Sequence, residues 1–154
     1  MKKSKTVLLG GAVIAGLLLL SAILFTLVQY KFTGAGLTFG KYNGFVTAFG
    51  KDNHEGFFLF CLPFFFAIIG TVISVLAAFK FTKKAKVLFG TVAILALVSV
   101  IVYLVTYFHI MGDYKTPINL TKYVKWGFAF WGALVLNIVA CAGSLYLAVS
   151  SGKK

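Results

Sequence analysis

Arginine is absent from this chain and acids nearly so: fifteen basic residues, all lysine, stand against three acids in 154 residues. The missing arginine removes the planar fork that suits bidentate recognition of phosphate or carboxylate. An all-lysine complement fits the codon bias of an AT-rich bacterial genome. There are only two cysteines, and Cys61 and Cys141 belong to no Cys-x-x-Cys pair, which excludes the thiol-exchange chemistry of four-helix quinone-linked oxidoreductases. No carboxylate and no lysine lies near the middle of any long apolar run. That argues against proton-coupled or ion-coupled carriers, which place an ionisable group within the membrane, and against acid/base catalysis there.

What the chain does have is four long apolar stretches. At 60% hydrophobic, 17% aromatic and 12% charged residues, a soluble domain of this size could not cover itself with polar surface. A helix needs roughly 20 apolar residues to cross a ~30 Å hydrocarbon core, and the stretches at about 6–29, 57–79, 86–110 and 124–149 meet that requirement. The predicted fold is an all-α membrane protein, a four-helix transmembrane bundle forming a single integral membrane domain over 1–154. Outer loops fall at about 30–56 and 111–123, with an inner loop at about 80–85. The first stretch follows Met1-Lys2-Lys3-Ser4-Lys5 and begins like a secretory signal. Its apolar run is longer than a signal core and no clean small-x-small site follows it before Gln29-Tyr30-Lys31, so an uncleaved anchor is expected.

Lysine placement predicts the direction. Lys2, Lys3, Lys5, Lys80, Lys83, Lys84, Lys86, Lys153 and Lys154 fall on one side, and Lys31, Lys41, Lys51, Lys115, Lys122 and Lys125 on the other, together with Asp52, Glu55 and Asp113. Both termini are therefore expected in the cytoplasm, with the protein in the bacterial plasma membrane. Tyr30, Tyr107, Tyr123 and Trp126 would mark the outer boundary. A net charge of +12 would suggest nucleic acid in a soluble protein, but lysines split across a bilayer form no single stripe, and none is expected to bind. The two cysteines lie at depths that differ by roughly 20 Å, too far for a disulfide within one chain.

The first outer loop holds the only unusual pattern. Lys31-Phe32-Thr33-Gly34 runs to Phe39-Gly40-Lys41, and Lys41-Tyr42-Asn43-Gly44 runs to Phe49-Gly50-Lys51, a shared frame at a ten-residue period. Asn43-Gly44 is a strong hairpin signal, because both residues tolerate positive φ in a type I′ turn. With strand-forming Leu37 to Tyr42 and Phe45 to Phe49 on either side, it predicts a short β-hairpin resting on the helix ends. Phe39, Tyr42, Asn43, Gly44, Phe45 and Phe49 are the candidate partner-binding residues of this loop. In layout, four spans with a long, partly β first outer loop and a shorter second one resemble the claudin-like tetraspan proteins of animals. The first-loop Trp, Gly-Leu-Trp and paired cysteines of those proteins are absent, so the likeness is of topology and implies no family.

Other polar residues are sparse. His54, Glu55, His109 and Asp113 supply imidazole and carboxylate on the outer side, a set suited to Zn²⁺ or a similar divalent ion, yet acids beside a helix start more simply serve capping and the macrodipole. No cofactor is expected, haem included, since neither histidine lies inside a span. Asn137, deep in the fourth span, is expected to hydrogen-bond across a helix contact. Gly70, Ser74 and Ala78 repeat at i+4 on the second span, Ala140, Ser144 and Ala148 on the fourth, and Gly11 and Ala15 on the first, stripes that let backbones approach. Pro63 in the first turns of the second span predicts a mild bend.

These features predict a non-enzymatic accessory or scaffold subunit in the lipid bilayer, presenting its first outer loop to another membrane protein or to a second copy. The alternative is an oligomeric channel or small-solute transporter subunit, lined by such residues as Ser21, Thr26, Thr71, Ser74, Ser99 or Asn137.

Overall fold

The computed structural model describes the backbone of residues 2–34, 37–51, 54–55, 57–80, 82–115 and 124–151, and side chains within 5–31, 41–49, 57–80, 83–112 and 124–150. Helix α1 (Lys2–Phe25) leads into strands β1 (Val28–Gly34) and β2 (Leu37–Asn43), the short helix α2 (Gly44–Phe49), and the two-residue strands β3 (Gly50–Lys51) and β4 (His54–Glu55). A 3₁₀ turn at Phe58–Cys61 opens α3 (Leu62–Phe79), a second at Thr82–Lys84 leads into α4 (Ala85–Lys115), and β5 (Val124–Trp126) precedes α5 (Phe128–Ser151). Four segments, Lys5–Phe25, Phe58–Phe79, Ala85–Gly112 and Phe128–Ser150, are long and apolar enough to cross a membrane. The expected class holds: a four-helix transmembrane bundle with a small antiparallel sheet at one end, here called the cap end, opposite the terminal end, where α1 begins and α5 finishes.

Each helix packs on two others. Helix α1 lies against α3 and α5, and α4 lies against the same two; the connections make every neighbouring pair antiparallel. Outward faces stay apolar, with Leu19, Ile69, Val72, Ile94, Val105 and Val135 exposed around the whole bundle. A soluble bundle would carry polar residues there, so lipid is the solvent these faces fit.

The core changes character with depth. Towards the terminal end it is built of small residues, Ala77, Ala85, Ala96 and Ala140, around Leu18 and Phe89. A Cβ on Gly11 would fall 2.7 Å from that of Ala78, and one on Gly70 would fall 2.8 Å from Leu18 Cδ1, so the α1–α3 contact depends on these glycines. Towards the cap end the core is aromatic, with Phe25, Phe60, Tyr103 and Phe130 all fully buried.

Three sequence boundaries need correction. The apolar run puts the end of the first span at residue 29, but α1 stops at Phe25. There the Thr26 hydroxyl donates to the Ile23 carbonyl at 2.7 Å, and the Gln29 side-chain amide donates towards the carbonyls of Leu24 and Leu27 at 2.8 Å and of Phe25 at 3.2 Å. Carbonyls left open by a helix end are thus met locally. The fourth span starts at Phe128, because Val124–Trp126 alternates buried, exposed and half-buried and pairs as a strand. The third runs on through Gly112 to Lys115.

The predicted hairpin turn is also misplaced. Leu37 to Tyr42 is a strand as expected, but its partner is β1, with Gly34 opposite Leu37 closing the hairpin. Phe45 to Phe49, expected as the second strand, is helix α2. Asn43-Gly44 serves as its start: Asn43 Oδ1 accepts the Val46 amide at 2.8 Å, the N-cap bond that asparagine provides well. The two ten-residue frames are therefore not equivalent, since the first spans a hairpin and the second spans α2.

Candidate functional site

The cap is a three-stranded sheet in the order β2-β1-β5. Strand β1 sits in the middle because the chain leaves α1 directly beneath it, and the Gly127 amide, just before α5, donates to the Gln29 carbonyl at 2.8 Å. In register, Tyr30 pairs with Tyr42 on one side and Trp126 on the other. All three rings face the bundle: Tyr30 is fully buried, 4.7 Å from the Tyr42 ring and 4.9 Å from that of Trp126. Trp126 continues the chain of rings to Phe130 at 4.4 Å and Tyr107 at 5.1 Å, and its indole N–H donates to Met111 Sδ at 3.3 Å. This aromatic layer fastens the sheet to α4 and α5.

The next position in each strand points the other way, as pleating requires. Lys31 pairs with Lys41 and with Lys125, and all three are exposed. Neighbouring strands lie ~4.8 Å apart, so three ammonium groups stand in one row across the outward face. Like charges directly opposite one another are destabilising, and the row therefore presents a cationic strip.

Of the loop residues singled out in the sequence, Tyr42 belongs to the inward aromatic layer, and Asn43 and Gly44 form the start of α2. Phe45 points inward against Phe25 at 5.2 Å and Phe64 at 5.0 Å. Phe49 is exposed and meets Phe58 at 5.7 Å, an aromatic pair at the rim of the bundle. The Phe39 side chain lies outside the described residues. Composition gave no sign of the lysine row, because it joins residues from both outer loops and needs the β1–β5 pairing to be seen.

Beneath the cap lies a buried polar cluster. Asn137 Nδ2 on α5 donates to Ser21 Oγ on α1 and to the Ala133 carbonyl, both at 2.8 Å. The Tyr103 hydroxyl on α4 is buried beside this cluster, next to Ser21. Asn137 thus ties α1 to α5 in a medium where water cannot compete. Ala140, Ser144, Gly70, Ser74 and Ala78 are all buried at helix contacts, with Gly70 and Ala78 facing α1. Asn137→Ala is expected to cost about 0.6 to 1.7 kcal/mol. Combining it with Ser21→Ala should cost less than the two single changes added together, read by reversible unfolding in detergent.

Of the proposed metal-ligand set, only the His109 side chain lies among the described residues. His109 is exposed and its ring stacks on Phe57 at 4.4 Å, while His54 and Glu55 lie in β4 and Asp113 lies one turn beyond His109 on α4. The side chains of those three lie outside the described residues. Among the described residues, no group of three or more His, Cys, Asp or Glu side chains comes together. Cys61 and Cys141 are both free thiols.

Comparison of the chain with protein-family models, with curated proteins and with solved structures returns no match.

Proposed function

We propose that this protein is a non-enzymatic component of the bacterial plasma membrane that presents its cap to a partner protein or to another copy of itself, with both termini in the cytoplasm. The observation carrying this reading is the sheet itself. A loop that merely connected two spans would have no need of a strand drawn from the other outer loop, nor of a buried tyrosine bolting it to the helices. The cap instead offers a rigid outward face with Lys31, Lys41 and Lys125 in one row. A surface bearing carboxylates is its natural complement, and such charge pairing sets specificity and encounter rate more than affinity.

The channel alternative is less well supported. Ser21, Ser74, Ser99 and Asn137 are buried inside a single bundle, so several copies brought side by side would present apolar faces to one another. Purification in mild detergent followed by mass measurement of the particle tests the proposal. Particles larger than one chain are expected, shrinking when Lys31, Lys41 and Lys125 are all changed to Glu. A solitary monomer at every salt concentration, with no accompanying protein, would overturn it.

A further inference from the structure

The seam between α1 and α5 opens into a groove at the terminal end of the bundle. It has a volume of about 420 Å³, within the range of small-molecule sites, and runs from Thr6 to Leu17 on α1 and from Leu147 back to Val139 on α5. Its floor is the line where α1 and α5 meet closely, and two glycines lie in it. A Cβ on Gly10 would fall 2.8 Å from both Leu147 methyls, and one on Gly143 would sit 3.5 Å from Ile14 Cδ1. Its walls are high because Leu9, Val13 and Tyr146 stand 66%, 60% and 66% exposed on either side. From Thr6 to Leu17 the groove is about 16 Å long at 1.5 Å per residue, close to half of a ~30 Å hydrocarbon core. It therefore spans the depth of one leaflet.

Charge at the mouth is one-sided. Exposed Lys5 adjoins Thr6, Lys2 and Lys3 lie in the first turn of the same helix, and no acid occurs anywhere in residues 1–51 or 114–154. We infer that this groove binds one anionic phospholipid, with an acyl chain lying along Gly10, Ile14 and Gly143 and the phosphate drawn to the lysines at the start of α1. The bilayer supplies the ligand. Lysine near an anionic membrane surface favours such headgroups, and an acyl chain gains from filling apolar space. The inference rests on the groove and the local charge, and stands apart from the partner reading of the cap.

The full-length protein, purified in mild detergent, is mixed with phosphatidylglycerol or phosphatidylcholine of matched chains and weighed by native mass spectrometry. One phosphatidylglycerol per chain should be retained in preference to phosphatidylcholine. Val13→Trp, which fills the groove from an exposed position, should reduce that retention at least about tenfold. Ile94→Trp, at a 64% exposed position on α4, should leave it unchanged. Lys5→Gln should weaken phosphatidylglycerol about fivefold and leave phosphatidylcholine as it was. Equal retention of the two lipids by the unaltered protein, or unchanged retention by Val13→Trp, would overturn the inference. So would disulfide crosslinking of Val13→Cys between two chains in bilayers, which would make a second copy the occupant.

Discussion

Gly44→Ala is expected to unseat the cap and lower the thermal midpoint of the purified protein, whereas Gly16→Ala leaves it unchanged or raises it. A Cβ on Gly44 would be driven onto the backbone carbonyl oxygen of Phe25 and to within 2.6 Å of two carbons of the Phe25 ring. Neither obstacle can yield cheaply. The carbonyl belongs to the last residue of α1, and the ring is held by Phe45, Phe60 and Phe64 at 5.1 to 5.4 Å. Forcing extra volume into such a contact costs about 1 to 3 kcal/mol, occasionally more, and here the strain falls on α1 and α2 together. A Cβ on Gly16 would meet nothing within 4 Å, and alanine is the better helix former. Thermal unfolding of the two variants in the same detergent decides the matter; equal midpoints would mean that α2 does not rest on α1 as described.

Gly44 also shows where sequence reasoning worked and where it stopped. The bundle was legible because lipid imposes one strong rule, a long apolar run per crossing, and four runs met it. The presence of strands in the first outer loop was legible too, from the Thr and aromatic content of Leu37 to Tyr42. The turn was not. Asn-Gly reads as a type I′ hairpin when only local φ preferences are weighed, but Asn43 is also an excellent helix cap, and Gly44 is needed for clearance against Phe25. Clearance is a tertiary demand with no local signature. The β1–β5 pairing was hidden for a related reason: Val28 runs straight on from the first apolar stretch, and Val124 and Trp126 run straight into the fourth. Only their alternation, and Gly127 after the second, separates strand from helix. The lysine row follows from that pairing, so it was hidden as well. Asn137 stands out in the sequence as a polar residue deep in a span, while its partner Ser21, one serine among several within spans, carries no signal of its own.

Tyr30→Ala is expected to detach the sheet while leaving the four helices in place. Tyr30 touches rings on both neighbouring strands, Tyr42 on β2 and Trp126 on β5, and it is completely buried. Truncating a large buried aromatic side chain costs about 3 to 5 kcal/mol, and an isolated sheet of this size is marginal without packing beneath it. The loss should therefore be concentrated in the cap. Amides of Lys31 and Lys125, on paired strands, should lose protection from hydrogen exchange together, and near-ultraviolet circular dichroism from Trp126 should collapse, with helical content unchanged. Tyr30→Phe keeps the ring, so most of the protection should remain. If the cap amides of Tyr30→Ala exchanged as slowly as those of the unaltered protein, the aromatic layer would not be what holds the sheet. The lysine row would then be anchored by the backbone ladder alone.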